Sequence, residues 1–489
     1  MRFHLDFSYG RSVFALAAAA ACAVLTGCAS TINPFSRIET VVVIYGENRS
    51  FDNLYGLFSG ANGIGNALKS GAYRQVDRDG SVMTALPPVW KTDDATVDPA
   101  FPFAMPNAPF RIDAAPVNLG LDKPTRDLVH RFYQNQEQIN GGKNDMFAAI
   151  SDAGALTMGH YDGSRLPMWH IATQYTLADN FFMGAFGGSF LNHFWLICAC
   201  MPRFPDAPDE MKVRPDENGR LVRKPTSPPK AADGPPQLLD GLVTLDGFGI
   251  NTLQSSYQPS GIAPADSPAL ANSARHPLPP QTQRTIGDAL SEKNVSWKWY
   301  AGGWNLALVD RSQIYGGEVN FQAHHQPFNY FLRFAPGTPD RLKFLKDEKD
   351  LLDDIRNGTL PQVSFYKPPG KLNEHPGYAD VMSGDEHIAG LVAKLQATPQ
   401  WKNMVIIVTY DENGGFWDHV APPKGDRWGP GMRIPAIIIS PYARKGYIDS
   451  TPYDTTSIIK FLTRRFGLQP LPGVRPGAGD LGNAFVFND

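Results

Sequence analysis

The chain has 489 residues, more than a typical single domain, so the sequence predicts either one large α/β domain with insertions or two domains. Its formal net charge is −3 and it has no basic runs, which argues against nucleic acid as a binding partner. Four cysteines are too few for a disulfide framework, so the fold must depend on its hydrophobic core.

The N-terminal segment has the features of an export signal. Two arginines near the start precede a nearly uncharged, alanine-rich apolar run at 12–26, which is too short and too small in its side chains for a good membrane-spanning helix. The run ends in a Leu-Thr-Gly-Cys sequence at Cys28, which resembles a bacterial lipobox. We predict that residues 1–28 are a signal peptide and that Cys28 becomes the lipidated first residue. Ordinary cleavage near Ala29 is the alternative. We therefore expect an exported protein, in the periplasm or on the outer membrane as a lipoprotein, or secreted.

The first predicted strand is followed directly by polar residues. The β-branched run from Val41 to Ile44 predicts a strand buried on both faces, as in a parallel sheet. Glu47 and Asn48 follow it, and the apolar pair Phe51 and Leu54 then indicates a short helix. The polar pair could simply cap this helix. It could also place ligand oxygens at the carboxyl end of the strand, where α/β enzymes keep their chemistry.

Helical patterns dominate the next part of the chain. From Leu121 onward, apolar residues recur at helical spacing, with His130 on a different face, where a structural role is the simpler interpretation. Residues 166–182 predict a helix that runs into a short extended piece. Cys198 and Cys200 follow later, and if they lie in a strand their side chains point to opposite faces, so we expect no bridge between them.

A glycine pair before Ser189 predicts a tight turn that begins a helix. Ser189 could cap this helix. The same position could present the hydroxyl to a metal ion and an incoming phosphorus atom, with backbone N–H groups behind it. Asn192 and His193, one turn further on, could donate to the resulting oxyanion. Local sequence alone favours the cap.

The region at about 202–284 is rich in proline, glycine and polar residues, and we interpret it as an insertion, either an active-site lid or a surface subdomain. Strand and helix patterns then alternate. Residues 295–300 and 362–366 predict strands, and 342–355 predict one amphipathic helix. The adjacent pair His324 and His325 lies in a loop and could bind phosphate or a metal ion, or have no function.

Polar residues also follow a second aliphatic run late in the chain. Residues 404–409 (MVIIVT) predict a buried strand, and Asp411 and Glu412 come just after it. If this strand lies beside the first one in a parallel sheet, their polar residues meet at one edge. Three carboxylates packed together repel one another unless a cation lies between them. An oxygen-rich set of this kind suits a divalent ion, so the paired strand ends predict a metal site.

Six motifs in order carry a family resemblance: ENRSFDNLYG, NGGKND, GGSFLNHF, HHQPFNYF, NEHPGYAD and YDENGGFWDHV. Together they resemble the bacterial phosphoesterase family of acid phosphatases and phospholipases C, from about residue 40 to 466. The resemblance implies an alkaline-phosphatase-like core with a metal-assisted nucleophile, here Ser189. It implies one divalent metal ion bound by Glu47, Asn48, Ser189, Asp411 and Glu412. It implies catalytic or phosphate-contacting roles for His130, Asn192, His324, His325 and His375.

The expected fold class is α/β, with a doubly wound mixed, mostly parallel sheet flanked by helices and loop-rich insertions, in one phosphoesterase domain at 38–489. The expected function is an exported, metal-dependent acid phosphatase that hydrolyses phosphomonoesters through a phosphoserine, with an optimum below neutral pH. A phospholipase C acting on phospholipid is one alternative, and a non-catalytic surface lipoprotein is another. The ion could be calcium, manganese, iron or zinc.

Overall fold

The computed structural model describes residues 33–487. The predicted signal peptide and Cys28 lie outside the described residues. The strands of the described part are β1 Thr40–Gly46, β2 Phe110–Arg111, β3 Gly159–His160, β4 Thr176–Ala178, β5 Phe181–Phe182, β6 Val222–Arg223, β7 Leu238–Leu239, β8 Trp297–Ala301, β9 Leu345–Asp347, β10 Val363–Lys367, β11 Met404–Tyr410, β12 Ala436–Ile439, β13 Tyr447–Asp449 and β14 Tyr453–Asp454. The α-helices are α1 Phe51–Tyr55, α2 Ile64–Ser70, α3 Phe132–Ile139, α4 Phe147–Ile150, α5 Pro167–Gln174, α6 Ser189–Cys198, α7 Ile286–Glu292, α8 Trp304–Val309, α9 Pro339–Phe344, α10 Glu348–Asn357, α11 Val381–Gln396 and α12 Thr456–Phe466.

Eight strands form a central sheet in the order β13-β4-β12-β11-β1-β10-β8-β9. The run from β11 to β9 is parallel throughout, whereas β12 pairs antiparallel with both β11 and β4. Every residue of β1, β10 and β11 is buried, as expected for strands covered on both faces. The expectation of a mixed, mostly parallel sheet flanked by helices is confirmed.

The register of the central strands decides where their ends meet. Thr40 pairs with Met404 and Gly46 with Tyr410, so β1 and β11 end level with each other. On the other side of β1, Ile44 pairs with Tyr366 near the end of β10. The residues that follow these three strands therefore lie next to one another at one edge of the sheet.

Two helix predictions are wrong. The segment 342–355 is not one helix, because Leu345–Asp347 pairs with β8 as an edge strand and separates α9 from α10. Asp347 then caps α10 in a capping box. Residues 121–131 are irregular, and α3 begins only at Phe132. In both places tertiary contacts outweigh local helical propensity.

The expectation about the cysteines is also wrong: Cys198 and Cys200 form a disulfide. They do not lie in a strand, where alternate residues diverge. Cys198 ends α6, and Ala199 adopts a left-handed conformation with φ of 47°. This bend brings the two Cα atoms to 5.1 Å, within the normal range for a disulfide.

The segment at 202–284, interpreted from the sequence as an insertion, consists mainly of irregular backbone with a small β6–β7 ribbon. It is held to the rest of the chain by Arg78, whose guanidinium donates to the carbonyl oxygens of Pro228, Lys230 and Gly234. Among the helices of residues 33–487, none is both long and apolar enough to cross a membrane.

Candidate active site

Glu47, Asn48, Asp411 and Glu412 meet at the ends of β1 and β11, and all four are fully buried. The backbone N–H of Asn48 donates to Asp411 Oδ1 at 3.2 Å, which joins the two strand ends directly. Asn48 has φ of 61°, a left-handed conformation that asparagine tolerates better than most residues. The sheet register therefore brings together the two polar pairs singled out in the sequence.

Ser189 is the first residue of α6 and lies against these strand ends. Gly188 occupies the cap position of the helix, so the serine hydroxyl does not serve as the cap. Its oxygen lies 3.1 Å from Asn48 Oδ1 and 3.3 Å from Glu412 Oε1, and the one hydroxyl proton is shared between these two acceptors. The turn before the helix depends on Gly187, whose φ is 85° and whose Cα hydrogen faces the backbone of Phe132.

The side chain of Asn192 supports this turn from inside. Its amide oxygen accepts from the backbone N–H of Ala185, and its amide N–H groups donate to the carbonyl oxygens of Ala185, Gly187 and Gly188. Asn192 is fully buried and its hydrogen bonds are directed to the backbone of the turn. This arrangement positions Ser189, and the predicted contact of Asn192 with substrate stays a prediction.

The buried cation Lys367 was not singled out in the sequence. Its Nζ lies 3.0 Å from Glu47 Oε1 and 3.6 Å from Asp411 Oδ2, and it donates to the carbonyl oxygen of Gly46. Lys367 is the last residue of β10, which pairs with β1. The sequence signal that could have identified it is therefore a charged residue at the end of a third predicted strand. It supplies positive charge between two buried carboxylates.

Glu47 has partners on both carboxylate oxygens. His325 Nε2 hydrogen-bonds to Oε1, while Asn373 and Tyr378 donate to Oε2 at 2.5 and 2.9 Å. Burial alone would raise the pKa of Glu47, but His325 and Lys367 hold it well below the ordinary value. Glu47 is therefore held as a buried anion.

Three of the four predicted phosphate-contacting histidines line one cavity with Ser189. This cavity has a volume of about 420 Å³ and includes His130, His324 and His375 in its lining. His130 Nε2 lies 3.6 Å from Glu412 Oε1, and His375 Nε2 accepts from Asn48 Nδ2 at 2.8 Å. His325 does not line the cavity and is directed towards Glu47 instead.

The histidines differ in charge state. Burial would lower the pKa of His130, but the nearby carboxylates of Glu412 and Asp127 raise it to about 9, so His130 is an imidazolium at neutral pH. Burial lowers the pKa of His375 and of His324. These two rings are therefore neutral at pH 7 in the absence of a bound anion, and an anion beside them would favour their protonation.

The strand-end oxygens fit a divalent cation. Burial and the charge of Glu47 raise the pKa of Asp411 to about 6, against the opposing charge of Lys367, and burial raises that of Glu412 above its ordinary value, against the opposing charge of His130. Asp411 Oδ2 is buried without a hydrogen-bond partner in the described structure. Carboxylate, amide and hydroxyl oxygens are ligands of hard cations. His193 adds a nitrogen donor, because its ring and the Glu47 and Asp411 carboxylates have ligand atoms within 4.8 Å of one another.

The sequence profile of the Phosphoesterase family matches residues 38–469. The chain belongs to this family. Mycobacterium tuberculosis phospholipase C A is 26% identical to it, over 92% of this chain and 77% of the relative. Phospholipase C B of the same organism is 25% identical, over 92% and 78% of the two chains. The non-hemolytic phospholipase C of Pseudomonas aeruginosa is 24% identical, over 92% of this chain and 57% of the relative.

A solved structure of an alkaline phosphatase superfamily protein from Vibrio parahaemolyticus aligns with 76% of this chain and 75% of its own, with 11% identity and a TM-score of 0.34. Family membership confirms the resemblance seen in the motifs. As a member of the Phosphoesterase family, the chain is a hydrolase that acts on phosphate esters.

Proposed function

We propose that this phosphoesterase hydrolyses phosphomonoesters through a phosphoserine at Ser189. The observation that carries the proposal is the position of Ser189 Oγ, within hydrogen-bonding distance of Asn48 and Glu412 and in one cavity with His130, His324 and His375. A nucleophile, a proton donor and groups for the phosphoryl oxygens are the parts that such a reaction requires.

The reaction has two steps. Ser189 Oγ attacks phosphorus as its proton passes to the carboxylate of Glu412, the bond from phosphorus to the leaving oxygen breaks, and His130 Nε2 gives its proton to that oxygen. Water then attacks the phosphoserine and gives one proton to His130, while the bond from phosphorus to Oγ breaks and Glu412 returns its proton to Oγ, which releases phosphate and restores the Ser189 hydroxyl. Before the attack, Asn48 orients the Ser189 hydroxyl through the 3.1 Å hydrogen bond. We propose that a divalent cation is held by Glu47, Asn48, Ser189, Asp411 and Glu412. Such an ion lowers the pKa of a bound hydroxyl and neutralises phosphoryl charge.

The number of imidazoles favours a monoester. A phosphomonoester presents three non-bridging oxygens, and the cavity offers three histidine rings beside Ser189. A phosphodiester presents only two non-bridging oxygens, so it would leave one of these rings without a phosphoryl oxygen to contact. Because burial lowers the pKa of His324 and His375, their protonated forms are populated mainly in acid. We therefore expect maximal turnover below neutral pH.

Phospholipase C activity is the second candidate. It is favoured by the three relatives described above, which are phospholipases C and align with 92% of this chain. From the N-terminal sequence we also propose that the protein is exported, with lipidation at Cys28, which would place the enzyme at a membrane surface next to phospholipid.

The test compares an aryl phosphomonoester with an aryl phosphocholine across pH, with and without a chelator. We expect chelator-sensitive turnover of the monoester with an acidic optimum, and loss of at least about a thousandfold in kcat for Ser189→Ala. Replacement of the exposed Ser81 by alanine is the control and should leave kcat unchanged. Full activity of Ser189→Ala would refute the proposal, and turnover of the phosphocholine ester alone would favour phospholipase C. Metal content per chain, measured by mass spectrometry, identifies the ion.

A further inference from the structure

One wall of the active-site cavity is built by the insertion. Ile250, Asn251, Thr252 and Gln254 line the cavity together with Leu242, and all five belong to the 202–284 segment. Ser189 and the three histidines mark where the phosphoryl group binds. The insertion therefore faces the part of the cavity that remains for the alcohol, or leaving group, of the substrate.

This wall is held rigidly beside the catalytic residues. Arg131, next to His130 in the chain, pairs with Asp240 at 2.6 Å and donates to the carbonyl oxygen of Gly241 at 3.0 Å. Asn251 accepts from the backbone N–H of Phe132 at 3.2 Å and donates to Gly241 at 2.6 Å. These bonds attach the insertion to the start of α3, so the wall is preorganised for its ligand.

The chemistry of the wall is polar and uncharged. Thr252 is exposed and Gln254 is half-buried, and the amide of Gln254 donates to the hydroxyl of Tyr315 at 2.9 Å. Tyr315 also lines the cavity and is 40% exposed, so these three groups lie where the cavity opens to solvent. Leu242 and Ile250 supply an apolar surface beside them. Hydroxyl and amide groups next to an apolar surface suit an alcohol that carries further hydroxyls.

The charged side chains beside this wall, Asp127 and Arg131, already interact with other charged groups, so they do not provide a binding partner for a charged leaving group. Asp127 is the one carboxylate among the residues that line the cavity, and it lies 3.6 Å from the His130 ring. The guanidinium of Arg131 is paired with Asp240. Neither group is free to bind a quaternary ammonium or a second phosphate. The volume of about 420 Å³ is near the lower end of the range for ligand cavities, which favours a small alcohol.

We propose that the insertion forms the leaving-group subsite and selects phosphomonoesters of small, uncharged, hydroxylated alcohols, such as polyol or sugar phosphates. Thr252 and Gln254 are the specificity-determining residues, through hydrogen bonds to the hydroxyls of the leaving group. This inference rests on the proposed function, because it assigns the substrate class of the same site.

The experiment measures kcat/KM for glycerol 2-phosphate, p-nitrophenyl phosphate and phosphocholine with the full-length enzyme and its Thr252→Val and Gln254→Leu variants. Each variant should lose about tenfold in kcat/KM for glycerol 2-phosphate, the effect of one lost hydrogen bond. Turnover of p-nitrophenyl phosphate, whose leaving group carries no hydroxyls for the wall to bind, should stay within about twofold. Thr226→Val is the matched control, an exposed threonine of the same insertion that does not line the cavity.

Three outcomes would overturn the inference alone: equal loss for both esters in the two variants, no loss for glycerol 2-phosphate, or a wild-type preference for phosphocholine over glycerol 2-phosphate. Absence of p-nitrophenyl phosphate turnover in the wild type would instead refute the proposed function, and the inference with it. Because Thr252 is exposed, its valine variant is expected to fold, and its melting temperature should match that of the control.

Discussion

Replacement of Arg433 by methionine is expected to be among the most destabilising single changes in this protein. Arg433 is fully buried and pairs with two buried carboxylates, Asp52 and Asp418, each at 3.0 Å. Its guanidinium also donates to the carbonyl oxygens of Asn62 and Asp179, at 2.7 and 2.8 Å. The substitution removes the cation and leaves both carboxylates buried.

The expected loss is about 4 kcal/mol, because removal of one partner from a buried ion pair costs about 3–5 kcal/mol. Its dependence on pH follows from the carboxylates. Burial raises the pKa of Asp418 to about 6, whereas Arg433 and His419 outweigh burial at Asp52 and hold its pKa below the ordinary value. Loss of Arg433 removes a charge that lowers both pKa values, so both rise. A carboxyl with a folded pKa above its unfolded value gains stability as pH falls. The deficit should therefore be larger at about pH 7.5 than at about pH 5.

Activity should fall as well. Asp52 lies four residues after Asn48, and Asp418 lies six residues after Glu412. Asp418 accepts from the backbone N–H of Asp52 at 2.9 Å, so the carboxylates that Arg433 holds also join the two loops that carry the proposed metal ligands. Loosening this connection should misplace the ligands and reduce kcat.

Urea unfolding followed by circular dichroism measures the stability change at both pH values. The control is Arg427→Met, which breaks the pair of Arg427 with Asp246, two side chains that are 52% and 51% exposed. Exposed pairs contribute about 0–1 kcal/mol, so this variant should stay close to wild type. If Arg433→Met loses no more stability than Arg427→Met, or if its deficit grows as pH falls, the reasoning is refuted.

Three further changes test other parts of the structure. Gly414→Ala should reduce the free energy of unfolding by about 1–3 kcal/mol and also reduce kcat, because φ of Gly414 is 60° and the new Cβ would lie 2.4 Å from the Asn48 carbonyl oxygen. Its control is Gly390→Ala, where the new Cβ would meet no atom within 4 Å and the protein should not be destabilised. Burial lowers the pKa of His160 to about 4. Between about pH 6.5 and pH 4 this histidine is therefore protonated in the unfolded chain but not in the folded protein, so the free energy of unfolding decreases by about 3 kcal/mol as the pH is lowered over this range. His160→Gln should remove this loss, so its melting temperature should fall less than that of the wild type between about pH 6.5 and pH 4, and an unchanged profile would contradict this. Asn192→Leu leaves buried turn carbonyls unpaired and should lower both the urea midpoint and kcat, whereas a fully active variant would exclude the positioning role.

Much of the central sheet could be predicted from sequence because its strands are short, continuous aliphatic runs. Val41–Ile44 and the run at 404–409 can be buried on both faces, and polar residues follow each run directly. That signal is local, and it was enough to predict a metal-capable edge at Glu47 and Asp411. The order of six motifs along the chain was enough to predict the family, which the profile match at 38–469 confirms.

Contacts between distant segments were decided only by the tertiary structure. Lys367 is unremarkable in sequence and becomes the buried cation between Glu47 and Asp411 because β10 happens to pair with β1. The local sequence around Ser189 is typical of a helix cap. Its hydroxyl is directed towards the strand ends because α6 packs beside Asn48 in the folded protein. The insertion gives no periodic signal, yet it supplies the wall around Asn251. Propensity and periodicity act over a few residues, whereas strand register and long-range packing determine which side chains share a site.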